Sequence, residues 1–203
     1  MTAAAASGGR IETLSGAAIE PYLDALAGLR IEVFREYPYL YDGTAEYERR
    51  YLRVYADSER SVVALALDGD QVVGAATALP LLDHADGLAP QLAATGFDPA
   101  DVYYFGESVL RKTHRGRGIG HAFFDVRESA ARKHEFGIAA FCAVQRPADH
   151  PRKPAGYVPH DAFWRKRGFT PRPDIVSTLA WQDLDESIES PKPMMFWVKE
   201  LKS

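Results

Sequence analysis

Apolar residues recur along this chain in two rhythms. Over Ala17 to Leu29 and Ala45 to Tyr55 they return every three or four positions, which predicts two helices. Between them lies the tyrosine-rich, turn-prone segment EYPYLYDG, Glu36 to Gly43. Two short runs of β character follow, SVVALAL (61–67) and QVVGAATAL (71–79), joined by Asp68-Gly69-Asp70, whose Asp-Gly pair is a strong hairpin signal. Leu81 to Pro99 is richer in Gly, Pro and Asp and reads as a loop holding a short helix. DVYYFGESVL (101–110) reads as a strand. From about Gly118 to Phe136 the spacing of Ile119, Ala122, Phe123, Val126 and Ala130 predicts a helix with one buried stripe. Arg132, Lys133 and His134 suit its last turn, and Gly137 is the expected stop. IAAFCAV (138–144) is apolar throughout, as a strand buried on both faces and parallel to its predecessor would be. A right-handed strand, helix, strand unit of this kind leaves its loop at the carboxyl ends of the strands. HDAFWRKRGF (160–169) reads as a short helix ended by Gly168, and IVSTLAWQDL (175–184) and MMFWVKEL (194–201) as closing antiparallel strands. With no internal repeat or low-complexity linker, a single domain over 1–203 is expected, with MTAAAASGGR (1–10) as a frayed start.

Composition narrows the class. At 203 residues, 46% hydrophobic and 26% charged, the chain can bury a full core. A formal charge of -4 gives no global field toward nucleic acid, so any basic patch is local. The single cysteine, Cys142, forms no internal disulfide, which fits a reducing compartment. The first ten residues lack the basic leader and apolar core of a signal peptide, and the longest apolar run, Val72 to Leu82, contains Gly74, Thr77 and Pro80 and is too short for a bilayer. A cytoplasmic soluble protein without a membrane partner is the expectation. Neither His114 with His121 nor His150 with His160 has metal-site spacing, so no metal is expected.

The chemistry concentrates in THRGRGIGHAFF, Thr113 to Phe124. Glycines opening a helix let the backbone approach a ligand, and the first helical N–H groups are unpaired and point outward. With Arg115 and Arg117 beside Gly116, Gly118 and Gly120, the stretch suits an anion, phosphate above all. Each charge at such an end contributes roughly 0.3–1 kcal/mol, so the arginines assist and the backbone decides. The plainer reading is a tight turn with close helix packing. No Walker A string occurs, and the last glycine gap is one residue too short for G-x-G-x-x-G, so neither nucleotide fold is favoured.

Arg115, Gly118 and Gly120 do stand in the R/Q-x-x-G-x-G/A register, followed by the helix, strand and aromatic helix ending in Gly168-Phe169. From about Val102 to Phe169 the chain thus resembles the GNAT acetyltransferase superfamily. The resemblance implies an α/β fold with a mixed, mostly antiparallel twisted sheet, splayed central parallel strands (here 102–111 and 138–145) and flanking helices. It implies acetyl-CoA as cosubstrate, its pyrophosphate held by Arg115, Gly116, Arg117, Gly118, Ile119 and Gly120, and its pantetheine arm along Val109, Leu110 and Arg111. Direct acetyl transfer to an amine follows, the acceptor being a small molecule or a peptide, with a homodimer left open. Leu110 N–H is the expected oxyanion donor and Glu107 the expected base, a solvated or structural carboxylate being the alternative. Many members carry a tyrosine where this chain has Trp164, and an asparagine where it has Tyr157; either Tyr157 is the acid or none is needed, because a thiolate is already a good leaving group, while Trp164 and Phe163 read as packing. Cys142 is expected in the core rather than as an acyl carrier. The run Arg111, Lys112, His114, Arg115, Arg117 suits coenzyme A phosphates better than nucleic acid. EYPYLYDG either lines an acceptor pocket for a cation or packs the helices on the sheet. The rival from another class is a non-catalytic acyl-CoA-binding or sensing module.

Overall fold

The computed structural model describes residues 3–4, 9–84 and 87–201. In chain order the strands are β1 (Ala3–Ala4), β2 (Gly9–Leu14), β3 (Val62–Asp68), β4 (Gln71–Pro80), β5 (Val102–Leu110), β6 (Ile138–Val144), β7 (Thr170–Trp181) and β8 (Ser190–Glu200). The helices are α1 (Leu23–Phe34), led in by a 3-10 turn at Gly16–Tyr22, then α2 (Ala45–Asp57), α3 (Ala89–Ala93), α4 (Ile119–Lys133) and α5 (Asp161–Lys166). The strands form one open sheet in the order β1-β2-β3-β4-β5-β6-β8-β7, in which β5 and β6 are the parallel pair.

Both faces of the sheet are covered, which explains the unbroken apolar runs. Val63, Leu65 and Leu67 of β3 lie in one cluster with α1 and α2, whereas Ala64 and Ala66 lie with Ile119 and Phe123 of α4. Small residues on the α4 side let that helix sit close to the strands, and at Gly74 an added Cβ would stand 2.5 Å from Leu110 Cδ1. The Asp68-Gly69-Asp70 hairpin is present, with Asp68 opposite Gln71 and Gly69 at φ 58°.

The structure differs from the sequence reading at several boundaries; β7 and β8 begin at Thr170 and Ser190, earlier than the apolar runs indicated. Gly9 and Arg10, expected in a frayed start, open β2 and pair with Asp68 and Leu67; β1 pairs with β2 in turn. Helix α1 begins later and runs further than the periodicity indicated, because Pro21 sits in the 3-10 lead-in. Helix α4 stops at Lys133, and Glu135, not Gly137, takes the left-handed conformation after it (φ 62°). Gly137 is needed for another reason: its N–H donates to Asp101 Oδ1 at 2.7 Å, and a Cβ there would lie 2.5 Å from Oδ2.

The feature that positions the site is the pair β5 and β6. They are in register only over Val102↔Ile138, Tyr103↔Ala139 and Tyr104↔Ala140, and then part. Beyond that point β5 stays with β4 through a bulge: Ala78 faces Phe105 while Ala76 faces Ser108, so Gly106 and Glu107 together oppose Thr77. A Cβ at Gly106 would collide with the Tyr55 hydroxyl and with Thr77 Oγ1. Gly106→Ala is therefore expected to lower stability by about 1–3 kcal/mol. In the same urea titration Gly28→Ala, in α1 with nothing within 4 Å of the new methyl, should be neutral or stabilising by about 0.5–1 kcal/mol.

Candidate active site

The glycine loop follows β5 through a 3-10 turn at Lys112–His114 and enters α4 at Gly118. Gly116 and Gly118 have φ of 77° and 81°, a conformation that disfavours any side chain, and space for a Cβ at either is open to 4 Å. No side chain caps the helix. Among the described residues no main-chain N–H from Gly116 to Gly120 has an intramolecular acceptor. These donors face a cavity of about 1210 Å³ lined by Gly116, Gly118 and Gly120 at one end and by Arg30, Glu107 and Tyr157 further along. The entrance to α4 is thus bare of side chains and open, and its orphan donors with the helix dipole suit an anion.

The arginines behave differently from the sequence expectation. Arg115 grips the Glu36 carboxylate with Nη1 and Nη2 at 2.9 and 3.2 Å and donates from Nε to Leu110 O at 3.0 Å. Arg111 Nε meets Glu32 at 3.0 Å. Both guanidinium groups are paired with carboxylates in or just after the last turn of α1, which ties the loop to that helix, whereas, among the described residues, the main-chain N–H groups from Gly116 to Gly120 carry no such partner. Arg117 donates to Thr113 O at 2.9 Å and has no carboxylate in ion-pair range among the described residues.

The edge of β5 facing the gap is open. Arg111 N–H donates to Val73 O at 2.9 Å, toward β4. Strand alternation turns the Leu110 main chain the other way, into the space that β6 has left, and its carbonyl meets Arg115 there.

Glu107 comes from the bulge and is 5% exposed, which overturns the solvated alternative. Its Oε2 takes Arg30 Nη1 at 2.7 Å and the Tyr55 hydroxyl at 3.5 Å, and its N–H donates to Thr77 Oγ1 at 3.2 Å. Oε1 has no partner. Burial raises the Glu107 pKa above the usual carboxylate range, and Arg30 opposes the rise. Arg30 also binds Glu48 through Nε, and its guanidinium lies 4.4 Å from the centroid of the Tyr51 ring. Tyr157 lies in the loop between β6 and α5, half-buried, its ring edge-on to Tyr37 with centroids 4.7 Å apart. Burial lifts its phenol pKa, with Tyr37 and Asp161 adding to the rise. Trp164 packs on Phe141 and Trp197, at centroid distances of 5.0 and 5.1 Å. Phe163 lies against His121 and Phe124 and also lines the cavity. Cys142 is buried with Sγ 3.0 Å from the Tyr104 hydroxyl.

Around the site the sequence reading missed the buried Glu48 and Arg127 and the nearly buried Arg30. Arg127 does carry a signal, since Phe123, Arg127 and Ala131 share one helix face at four-residue steps. Arg30 is a lone cation in the apolar sequence of α1, and its partners come from elements far along the chain. Among the described residues no cluster of His, Cys, Asp and Glu could hold a metal, and no helix is long and apolar enough to cross a membrane.

The model of the Acetyltransferase (GNAT) family matches residues 26–169. Solved structures of similar fold include an acetyltransferase from Streptococcus agalactiae 2603 (16% identity, 96% of this chain and 99% of that one, TM-score 0.59). Another is the ribosomal-protein-alanine N-acetyltransferase from Brucella melitensis (17%, 94% and 98%, 0.56). A third, the acetyltransferase yncA of Salmonella typhimurium, was solved with its cofactor acetyl-CoA (10%, 95% and 95%, 0.56). No curated protein matches the sequence. The chain belongs to the GNAT acetyltransferase family.

Replacing Arg30 with methionine leaves Glu48 and Glu107 buried without their shared cation, and should cost about 3–5 kcal/mol in chemical denaturation. Glu107→Gln, which keeps the Arg30–Glu48 pair, should cost clearly less; equal losses would contradict the shared-cation arrangement.

Proposed function

We propose that the protein is an acetyl-CoA-dependent N-acetyltransferase that moves the acetyl group directly to a primary amine. The observation that carries this is the run of unpartnered amides from Gly116 to Gly120, facing the same cavity as the buried Glu107 carboxylate.

Arg115, Gly116, Arg117, Gly118, Ile119 and Gly120 would hold the pyrophosphate, the amides supplying the donors and Arg115 the fixed loop geometry. Val109, Leu110 and Arg111 would lie along the pantetheine arm. Holding thioester and amine in one cavity contributes on the order of 7–11 kcal/mol to the barrier reduction. The amine nitrogen attacks the thioester carbonyl carbon, and the Leu110 N–H, turned into the gap, stabilises the oxyanion that forms. Glu107 Oε1 is the oxygen free to take the proton from the amine, because Oε2 is held by Arg30. A free alkylamine has a pKa of about 10.4, so such a base is required. Collapse forms the C–N bond and expels the C–S electron pair as thiolate. Tyr157, whose raised pKa keeps it protonated, supplies the proton to that sulfur. The acceptor is a small-molecule or peptide amine entering beside Tyr37 and Tyr41.

Acetyl-CoA should raise the melting temperature, and ATP and NAD should not; stabilisation by the nucleotides alone would remove the reading. Gly118→Val introduces a side chain at φ 81° in the open cradle and should abolish coenzyme A binding in calorimetry. Some stability should be lost with it, whereas Gly120→Ala, in helical backbone, should bind normally.

The base must be ionised to act, and its pKa is raised. The kcat/KM profile should therefore fall as pH drops through an inflection above the ordinary glutamate range of about 4.3. Glu107→Gln should lower kcat by about 10²–10⁴ and remove that limb, with coenzyme A affinity retained. A variant with wild-type kcat would exclude Glu107 as the base.

A further inference from the structure

Arg127 occupies a place where helix packing calls for an apolar side chain. It stands on the buried face of α4, 2% exposed, one turn after Phe123 and one turn before Ala131. Nε donates to Phe123 O at 3.1 Å, and the guanidinium lies 4.4 and 4.7 Å from the ring centroids of Phe105 and Phe124. Nη2 is enclosed and has no acceptor. Among the described residues no carboxylate oxygen lies in ion-pair range of Arg127, although the field of Glu107, which keeps Oε1 unpartnered, reaches it. Glu128 meets Lys199 at 2.7 Å and Arg167 at 2.9 Å, and Glu107 meets Arg30. Burial lowers the Arg127 pKa to about 9, against the field of Glu107, and the group remains a cation at neutral pH. A buried cation without an ion-pair partner is strongly destabilising, and a leucine or methionine would pack this position at no such cost. Yet Arg127 lines the cavity that begins at the glycine loop.

We infer that Arg127 receives a carboxylate at the far end of the acyl group, so that the preferred donor is the coenzyme A thioester of a short dicarboxylic acid. The inference rests on the acyl transfer proposed above, keeps its residues and steps, and replaces the acetyl group of the preferred donor with an acyl group that ends in an anion. The guanidinium reaches back to Phe123 O and lies against Phe105, the residue of β5 just before the bulge that carries Glu107. Counted from the glycine loop and Leu110, a carboxylate at Arg127 would therefore lie past Glu107, deeper than the thioester. The aromatic walls exclude water, and a guanidinium fork takes both oxygens of a carboxylate. The transfer is unchanged in its atoms. The amine nitrogen bonds the thioester carbon, coenzyme A leaves with the sulfur electron pair, and the amine proton passes to Glu107. The distal carboxylate is carried intact into the product, an amide with a free acid.

The test compares acetyl-CoA, butyryl-CoA and succinyl-CoA as donors on the wild-type protein with a panel of amines, with free coenzyme A binding measured alongside. Succinyl-CoA should exceed both neutral thioesters in kcat/KM by about 30-fold or more. In Arg127→Met the ratio of succinyl to butyryl should fall by a similar factor, with Arg127→Lys between; thermal unfolding and coenzyme A titration identify variants that keep the fold and the cradle. Equal use of butyryl and succinyl by the wild type would show a chamber that reads length rather than charge and would overturn the inference. Preference for acetyl-CoA would overturn it too while leaving acyl transfer standing. Failure to bind coenzyme A at all would remove the acyl-transfer reading, and this one with it.

Discussion

The parting of β5 from β6 is the constraint on which the rest depends. The two parallel strands keep register for three residue pairs, and each then follows its antiparallel neighbour. β6 is paired with β8 along its whole length, from Ile138↔Glu200 to Val144↔Met194, and keeps that course after its pairing with β5 ends. β5 is bound to β4, and the extra residue at Gly106-Glu107 bends it away. The sheet opens into two leaves, and main-chain groups that would have joined them face a cavity. Buried backbone donors and acceptors without partners are costly, so such an opening persists only where solvent or a ligand answers them. The same bend turns Glu107 into the interior and the Leu110 main chain into the gap.

Ionised groups gather on both sides of that opening, and their balance matters more than any one pair. Arg30 holds Glu48 and Glu107 on the α1–α2 side, and Arg127 lies on the α4 side, two cations against two carboxylates. Arg30, with two carboxylates and the Tyr51 face, is fully committed. Glu48 and Glu107 each retain an unpartnered oxygen, and Arg127 an unpartnered nitrogen. In a low-dielectric interior such half-satisfied groups define where polar ligand atoms are favoured. They are also what a chain selected only for packing would not contain.

The fold was legible because its elements obey local rules. Asp68-Gly69 marks a hairpin, IAAFCAV can only be a strand covered on both sides, and Gly116, Gly118 and Gly120 open a helix at the carboxyl end of a strand. The open entrance to α4 was legible for the same reason, since backbone freedom and helix termini are local properties. What local rules do not carry is pairing between distant segments. Arg115 reads as a cation for phosphate until Glu36, 79 residues away, is found on its fork. Arg30, Glu48 and Glu107 come from three elements and meet only after the helices dock on the sheet. Strand β2 escaped the sequence reading because it is short, partly exposed and weakly alternating, and its pairing with β3 rather than its own composition makes it a strand; of the expected frayed start, residues 1–2 and 5–8 lie outside the described residues.

The tyrosine-rich segment after α1 shows how the two leaves are held at a fixed width. Glu36, at its start, is clamped by Arg115, which also holds the Leu110 carbonyl, tying it to β5 and the glycine loop. Its other end is bound to the far leaf. Arg146, just past β6, donates to Pro38 O and Tyr39 O at 2.7 Å each and pairs with Asp183, while Trp181 Nε1 reaches Tyr39 O at 3.1 Å. Tyr41 forms a bridge with Asp183. Segment 36–41 is therefore a strap across the gap, anchored to the glycine-loop side through one arginine and to the β6–β8 side through another. The aromatic wall of the cavity and the glycine loop at its other end share that strap. The glycine loop and the Tyr37 and Tyr41 side of the cavity are consequently tied through one segment, so a group that displaces either presses on the same strap.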